Sequence, residues 1–554
     1  MAKVRINTGG KIVLVVLGLA LVGVAAWMFI PKKGVDEGVK PEFSTVGEDG
    51  EPGKDPGGDS AGKGDDKAKP PVAASPDLKT PGLGRPIRVG IVTWGGYAGG
   101  IVANNGFKAN AESLFWKEYG IAVELKVIDD YPASRTAFKL GGDKDGVDIV
   151  WATVDSYALE YDQFKDLNPK VIMQYDWSRG GDAIAVSEEI KSVSDLKGKR
   201  IAVAEGTPSH YFALYMLAQA DLSTTDVNFV FTDSAIEAAQ IFRQGRADAG
   251  VSWSPDVYQA AEDRKGGHIL ASTREATNLI ADVFVARGDF ADKHKDLVAK
   301  FVLGWLDGVD RVNKNPELSY KLMAAGFEGV DLEAAKGMYQ DVKLPSYSEN
   351  LGFFEVSGDQ LRGYGDIFDE ASNIWRKLGK ISGRTPANAT VDPSFLKAIQ
   401  AEAEKRFGKV EDSAVVAAAP AQEFAFAFDA AEQEKAKAAT PILTRRISVT
   451  FPSGKFELDG NAKYILDDAA RLAQTFGATR MRVTGNTDNV GNAKANRTLS
   501  EKRAQSVVDY LVSKHGFPKD KFIVVGAGPD NPVAENTSDE GRSQNRRTDF
   551  EIIK

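Results

Sequence analysis

The sequence predicts an α/β protein with more than one domain, and three observations predict it. Residues 86–385 alternate β-rich runs with stretches of helical periodicity, which is typical of α/β folds. A shorter alternation covers residues 443–554, with a strand, helix, strand, helix, strand and strand predicted at 447–451, 461–476, 481–486, 493–514, 522–527 and 549–553. With 43% hydrophobic and 27% charged residues in 554, the composition is that of globular domains with packed cores.

Charge and cysteine content exclude several classes of protein. The 78 acidic residues outnumber the 69 Lys and Arg, giving a net charge of −9, and no domain-wide basic stripe offsets them, so nucleic acid is not expected as a partner. Cysteine is absent, which excludes a lipoprotein anchor and a disulfide framework. Stability must therefore come from packed cores.

The N-terminal region predicts a membrane anchor. Residues 12–30 are 19 consecutive apolar residues, enough for a helix to span roughly 30 Å of hydrocarbon. Lys3, Arg5 and Lys11 precede the run, which favours a cytoplasmic segment 1–11 and places the rest of the chain in the periplasm. A cleaved signal peptide is the alternative, but the run continues past its candidate cleavage site, so an uncleaved, single-pass inner-membrane helix is favoured.

Two segments are predicted to connect folded domains or the membrane anchor to them. Residues 31–85 are dense in Gly, Pro, Asp and Lys and nearly free of large apolar side chains, so they are predicted to form a disordered tether. Residues 386–442 are predicted to hold a helical segment and a linker, in which 422–439 favour a helix.

The strands of the large domain are predicted from its β-rich runs, and mostly parallel sheets are expected. The runs are 87–94, 123–128, 147–151, 199–204, 227–232 and 247–253.

Two stretches carry a family resemblance. SVSDLKGKRIAVAEGTPSHYFALYML (192–217) and EAAQIFRQGRADAGVSWSPD (237–256) resemble type 2 periplasmic substrate-binding proteins of ABC transporters, of the NMT1, taurine- and phosphate-binding kind. The resemblance implies two lobes, one formed by 86–180 with 284–385 and the other by 181–283, that close on a small solute.

Candidate solute-binding residues follow from the rule that open α/β sheets bind ligands at the carboxyl ends of their strands. The turn at 205–209 also opens a helix, whose free amides suit an oxyanion. The candidates are Trp94, Gly95, Gly96, Tyr97, Asp155, Ser156, Glu205, Gly206, Thr207, Ser209, Ser252, Trp253, Asp256 and Asp282.

The residues leave the charge of the solute open. Amide-rich turns at 95–100 and 205–209 suit an anion such as phosphate, a sulfonate or a carboxylate. Aromatic side chains together with Asp155, Asp256 and Asp282 suit a cation. The sequence slightly favours the anion.

A motif near the C-terminus carries a second resemblance. TDNVGNAKANRTLSEKRAQSV (487–507) resembles the signature of OmpA-like peptidoglycan-binding domains, and the resemblance extends over 443–554. It implies that Asp488, Asn496 and Arg503 bind the diaminopimelate of the wall peptide, with the carboxylate on the ammonium and the guanidinium on the carboxylate. Asn486 stands where the family usually has histidine, and Gly454 where a further side chain often contributes.

No catalytic constellation, metal site or cofactor motif is present, so the sequence predicts no enzyme and no cofactor. The histidines are scattered, at 210, 268, 294 and 515, which does not predict a metal cluster.

The resulting hypothesis is a membrane-tethered periplasmic receptor that binds a small solute, for uptake or sensing, and is held to peptidoglycan. A membrane partner protein would carry the signal or the solute inward. The alternative is a structural or stator-accessory link between inner membrane and wall, in which the middle domain is a protein-interaction module. The predicted anchor carries no acidic residue, so an ion-driven role would need the acid from another protein.

Overall fold

The computed structural model describes residues 75, 77–355, 362–409, 430–449, 451 and 454–554. Within these residues, no helix has the length and apolar character that a membrane span requires. The predicted anchor at 12–30 and residues 31–74 of the predicted tether lie outside the described part.

The last residues of the predicted tether are folded, which corrects that prediction. Thr80 is fully buried and donates a hydrogen bond from its hydroxyl to the Ala122 carbonyl over 3.0 Å. Arg85 forms a 2.6 Å ion pair with the buried carboxylate of Asp148. These polar contacts, together with Leu83, which packs against the hydrophobic core, fix residues 77–85 against the large domain.

The elements of the large domain alternate as predicted. Its strands are β1 Ile87–Ile91, β2 Val123–Val127, β3 Ile149–Thr153, β4 Lys170–Ser178, β5 Asp182–Val186, β6 Arg200–Ala204, β7 Asn228–Thr232, β8 Ala249–Trp253, β9 His268–Ser272, β10 Ala281–Ala286 and β11 Val342–Lys343. Its helices, with those of the following segment, are α1 Ala98–Asn104, α2 Leu114–Tyr119, α3 Tyr131–Leu140, α4 Val154–Phe164, α5 Pro208–Gln219, α6 Ala235–Arg243, α7 Asp256–Asp263, α8 Gly288–Lys293, α9 Lys295–Lys314, α10 Glu317–Gly326, α11 Leu332–Gln340, α12 Tyr347–Phe353, α13 Tyr364–Lys377, α14 Ser394–Ala398 and α15 Gln400–Phe407.

These strands form two sheets, one in each lobe. The first has the order β11-β4-β10-β3-β1-β2, and the second has the order β7-β6-β8-β5-β9. Both are mixed, so the prediction of mostly parallel sheets is wrong: β10 runs antiparallel to β3 and β4, and β5 runs antiparallel to β8 and β9. The antiparallel strands are those beside the crossings between lobes, where the chain enters each sheet from the other one.

The chain passes between the lobes twice. The first crossing joins β4 to β5 through residues 179–181, and the second joins β9 to β10 through residues 273–280. All of β10 belongs to the first sheet. The return to the first lobe therefore comes before Ala281, a few residues earlier than the boundary predicted at 283.

The C-terminal domain, residues 443–554, is a small sheet with helices. Its strands β12 Leu443–Ile447, β13 Arg480–Asn486, β14 Phe522–Gly528 and β15 Thr548–Ile553 have the order β12-β15-β13-β14. Helix α16 Ala430–Ala438 precedes the domain, and α17 Gly460–Thr475, α18 Ala493–His515 and α19 Asp539–Asn545 lie within it. The first strand begins four residues before the predicted 447–451, and α19 was not predicted.

The C-terminal domain packs on the second lobe, next to the second crossing. Asn278 donates its backbone N–H to the Thr475 carbonyl over 3.3 Å and its side-chain amide to the Gln474 carbonyl over 2.9 Å. The Val193 N–H donates to the carbonyl of Ile442, at the start of the domain, over 2.9 Å. Backbone groups of the two parts thus satisfy one another.

Candidate functional site

Two helices begin at the cleft between the lobes, and local sequence fixes where each begins. Thr153 ends β3 and caps α4, with Ser156 completing a capping box. Thr207 caps α5, with Pro208 at its first position. The two helices pack against each other across the lobes. Side chains in their first turns therefore face one another.

Asp176, near the end of β4, is the centre of the first-lobe side of the cleft. The Trp94 indole donates to its Oδ2 over 2.7 Å, and both residues are buried. A Cβ on Gly96 would lie 1.5 Å from the same oxygen, so only glycine fits in this turn. The turn after β1 is thus shaped around a carboxyl group.

Asp282, on β10, lies beside Asp176. The two residues are paired in the register of β4 and β10, and each carboxyl affects the pKa of the other. The hydroxyl of Tyr175 lies 3.1 Å from Asp282 Oδ1 and 3.0 Å from the hydroxyl of Tyr97. Burial raises the pKa of Asp176 to about 7 and that of Asp282 well above its usual range, so the pair holds a proton at neutral pH.

Asp182, which opens β5, brings a third carboxyl from the second lobe. It accepts hydrogen bonds from Ser209 over 2.6 Å and from Ser178 over 3.2 Å. Burial raises its pKa to about 6, while these two hydroxyls oppose the rise. The hydroxyls hold Asp182 at the end of the first crossing.

Asp155, in the first turn of α4, is the fourth carboxyl. It is fully buried, and neither oxygen has a hydrogen-bond partner among the described residues. Burial raises its pKa to about 8, and the charge of Asp182 adds to the rise. The nearby Thr153 hydroxyl opposes the rise, although it does not meet the geometry of a hydrogen bond to either oxygen. That hydroxyl lies 2.7 Å from the hydroxyl of Ser156, with which it caps the helix.

Three other predicted hydroxyls are bonded within the chain. Ser156 donates to the Thr153 carbonyl over 3.2 Å, Thr207 to the Ala204 carbonyl over 2.8 Å, and Ser252 to the Ala235 carbonyl over 2.8 Å. These hydroxyls cap helices or join elements, and a ligand would have to compete for them.

The turn predicted to bind an oxyanion is also occupied by internal bonds. The Gly206 N–H donates to Nδ1 of His210 over 3.1 Å, and His210 N–H reaches the Thr207 hydroxyl over 3.3 Å. Glu205 is exposed and forms a 2.5 Å ion pair with Lys380.

The remaining predicted residues considered are Gly95, Trp253 and Asp256. Gly95 is buried, and a Cβ there would meet the Met338 carbonyl at 2.3 Å, so its role is close packing. Trp253 and Asp256 are half-buried at the end of β8 and the start of α7. Burial raises the pKa of Asp256.

Sequence reasoning missed Asp176 and Asp182. Both lie beside the first crossing, inside a strand or at its start, whereas the strand-end rule selects residues just after the carboxyl end of a predicted strand. Neither β4 nor β5 was among the predicted strands. The signal was present, since an acid in an otherwise apolar run such as VIMQYDW, residues 171–177, is unusual.

A surface cavity lies beside the two crossings. Its volume is about 490 Å³, and Arg179, Arg274, Thr277, Tyr339 and Lys343 are among its lining residues. Arg274 forms a 2.8 Å ion pair with Asp341, and Lys343 forms one of 2.8 Å with Glu349. The basic character of this cavity is therefore largely neutralised.

The C-terminal domain presents a carboxylate and two guanidinium groups at one edge of its sheet. Asp488 follows β13 and accepts hydrogen bonds from Arg546 Nη1 over 2.8 Å and from the Val490 N–H over 3.1 Å. Arg503, on α18, donates to the Lys455 carbonyl over 3.0 Å and lies over the Phe451 ring at 4.9 Å.

The electrostatics of this edge connect all three charged groups. Burial lowers the pKa of Arg503, the charge of Arg546 lowers it further, and that of Asp488 opposes both. Arg546 was not predicted as a binding residue, although it lies in the GRSQNRRTDFEI segment that resembles the family.

Asn496 and Asn486 have structural bonds in this domain. The Asn496 side chain donates to the Val490 carbonyl over 3.0 Å and so closes the loop between β13 and α18. Asn486, in the position where histidine was expected, is buried and donates to Asp549 Oδ2 over 2.9 Å, which ties β13 to β15.

No group of three or more acidic, histidine or cysteine side chains in the described residues is arranged to hold a metal ion.

Family models match two parts of the chain. Residues 176–319 match the model described as NMT1/THI5 like, and residues 450–546 match that of the OmpA family. The first match spans both crossings and the whole second lobe, and the second includes Asp488, Asn496, Arg503 and Arg546.

Individual proteins resemble the same two parts. Over 217 residues the chain is 27% identical to the taurine-binding periplasmic protein of Escherichia coli strain K12, covering 38% of this chain and 64% of that protein. Over 103 residues it is 39% identical to outer membrane protein A of Bordetella avium, covering 19% of this chain and 53% of that protein. The chain thus spans less than two thirds of either relative.

Among solved structures, the periplasmic aliphatic sulphonate binding protein SsuA from Escherichia coli has a TM-score of 0.44 at 17% identity, covering 55% of this chain and 91% of that one. The periplasmic nitrate-binding protein NrtA from Synechocystis PCC 6803 has a TM-score of 0.44 at 14% identity, covering 58% of this chain and 88% of that one.

Proposed function

We propose that this chain, which joins an NMT1/THI5-like binding-protein fold to an OmpA-like domain, binds a small solute between its lobes while its C-terminal domain is bound to peptidoglycan. The protein would belong to the periplasmic side of the envelope. The observation that carries the proposal is the convergence of polar side chains from both lobes: Asp155 from the first, and Asp182 with Ser209 from the second.

The alternative, a wall-to-membrane link with a ligand-free interaction module, fits this cleft less well. Such a module would lose the need for polar groups between the lobes, and apolar side chains would fill the space. Here buried carboxyls occupy it at a considerable desolvation cost. A binding function explains why acids are kept in that position.

The wall-binding half of the proposal rests on opposite charges placed side by side. The free end of a diaminopimelate residue is zwitterionic, so Asp488 would bind its ammonium while Arg503 and Arg546 would bind its carboxylate. The ligand ammonium would then share Asp488 with Arg546, which already bonds to it. The membrane anchor at 12–30 and a partner protein in the membrane remain predictions.

A peptidoglycan pull-down with the purified full chain tests this half. Asp488→Ala and Arg503→Ala should each weaken sedimentation with peptidoglycan at least tenfold, because each removes one half of the zwitterion site. Arg471→Ala is the matched control, since Arg471 is an exposed arginine on α17 whose ion-pair partner is Asp468. Undiminished binding by both site variants, with circular dichroism unchanged, would contradict the wall-binding assignment.

A further inference from the structure

Four buried carboxyl groups meet where the lobes meet. Asp155, Asp176, Asp182 and Asp282 are each at most 5% exposed, and within the described residues none forms an ion pair with Lys, Arg or His. We infer that this cleft binds a small organic cation carrying N–H donors, such as a primary amine or a guanidine. The inference rests on the proposed solute-binding function and names the chemical class of its solute.

Asp155 is the observation that points to a ligand. Buried carboxyls in proteins almost always accept hydrogen bonds, because an unsatisfied one costs free energy. Both Asp155 oxygens lack a partner among the described residues, and the neighbouring hydroxyls of Thr153 and Ser156 are bonded to each other. An ammonium or guanidinium group supplies the N–H donors that the two Asp155 oxygens lack within the described part of the chain, together with a positive charge beside the carboxylate.

The other three acids are held in place by neutral donors. Trp94 orients Asp176, Tyr175 orients Asp282, and Ser209 orients Asp182. Neutral donors fix a carboxyl without neutralising it, so these acids remain able to ionise when a cation binds. Asp155 in the first lobe and Asp182 in the second interact electrostatically across the cleft, and a cation between them would favour the closed arrangement of the lobes.

One of the two turns that favoured an anion in the sequence, at 205–209, has internal hydrogen bonds. In the turn at 205–209, the Gly206 N–H and the Thr207 hydroxyl bond to His210 and Ala204. An anion entering the cleft would also be repelled by those of the four carboxyls that are ionised, and it supplies neither donors nor positive charge to the Asp155 oxygens, which have no partner among the described residues. The geometry of the described residues therefore opposes the anion preference.

Binding of a cation here should release protons. Burial raises the pKa of Asp155 to about 8 and that of Asp182 to about 6, so part of this group is protonated at neutral pH. A bound cation favours the ionised carboxylates and displaces those protons. Affinity for a cation should consequently rise with pH between about 6 and 8. A site that binds an anion through protonated acids would show the opposite, an affinity that falls over the same pH range.

The test uses the purified full chain, thermal-shift measurements and titration calorimetry. The cation probes are n-butylamine, 1,4-diaminobutane and n-butylguanidine, and the matched probes of opposite charge are butyrate, butane-1-sulfonate and inorganic phosphate. Ca²⁺, Mg²⁺ and Zn²⁺ complete the panel. Calorimetry in two buffers of different ionisation enthalpy measures the protons released.

Asp155→Asn and Asp182→Asn are the variants, because the amide keeps the size of the side chain and removes its charge. Asp162→Asn is the matched control, since Asp162 is exposed on the same helix. A saturable shift with a cation probe, released protons, and at least a tenfold loss of affinity in both site variants but not in the control would support the inference.

Two outcomes would overturn the cation assignment, and only one of them would also overturn the proposed solute-binding function. Saturable binding of phosphate, the sulfonate, butyrate or a metal ion, undiminished by Asp155→Asn, would overturn the cation assignment and leave the solute-binding function in place. A folded protein that binds none of the probes would overturn both, and would favour the interaction-module alternative.

Discussion

Replacing Asp155 by asparagine should stabilise the ligand-free protein at neutral pH but not in acid. The folded-state pKa of about 8 lies above the ordinary value of 3.8, so the folded protein binds more protons than the unfolded chain between those pH values. Stability contributed by the protonated carboxyl is fully present below pH 4 and is lost as pH rises towards 8. Since each pKa unit is worth about 1.4 kcal/mol, the loss reaches on the order of 4 kcal/mol at pH 7.

The variant carries no such charge, but its amide is left without a partner, at a cost of about 1–2 kcal/mol. The net gain should therefore be close to zero at pH 5 and about 2–3 kcal/mol at pH 7. For a folded part of this size, that gain corresponds to a rise of about 3 °C in the thermal midpoint. Titrating groups that do not interact with Asp155 are common to both proteins, so they cancel in the difference.

Differential scanning fluorimetry of the parent, Asp155→Asn and Asp162→Asn at pH 5, 7 and 8 measures the effect. The midpoint difference should grow with pH for Asp155→Asn and stay flat for Asp162→Asn. A variant that is equally or less stable than its parent at pH 8 would refute the reasoning that the Asp155 carboxyl is buried without a partner.

Two further predictions concern the C-terminal domain and are measured by thermal or urea unfolding. Asn545→Ala should lower the free energy of unfolding by about 2–3 kcal/mol. The fully buried amide accepts hydrogen bonds from the N–H groups of Val533 and Ala534 and donates one to the Ala534 carbonyl, so its removal leaves these groups unsatisfied. A loss below about 0.5 kcal/mol would contradict the role of these bonds. Asn278→Ala should cost about 1 kcal/mol by removing the bond to the Gln474 carbonyl, and an unchanged unfolding profile would show that the interface does not depend on it.

The sequence predicted elements better than their arrangement. All six β-rich runs chosen in the large domain are strands, with ends trimmed by up to three residues, and the helix predicted at 493–514 is α18. Hydrophobic periodicity and β-branched composition are properties of neighbouring residues, so they predict secondary structure without knowledge of the tertiary fold. The mixed direction of the sheets was not predictable in this way, because strand direction depends on where the chain crosses between lobes.

The same limit explains the candidate site. Trp94, Asp155 and Ser209 were chosen because each follows a predicted strand, and Asp282 because it is near the second crossing. The structure places them around one group of acids. Thr207 and Ser252 were chosen by the same rule, but their hydroxyls bond within the chain. A position rule identifies which residues are near a cleft and cannot say which hydrogen-bond partner each one takes.

By itself the sequence determined the two folded parts of this protein and the OmpA-like motif with Asp488 and Arg503, since TDNVGNAKANRTLSEKRAQSV and the strand–helix alternation lie in neighbouring residues. The character of the cleft was decided only by tertiary structure. Asp155, Asp182 and Asp282 are far apart in the chain, and none of them alone predicts whether the ligand is a cation or an anion. Their burial together raises the pKa of all three and leaves both Asp155 oxygens without a partner among the described residues, because the fold, and not the local sequence, decides which donors reach each carboxyl.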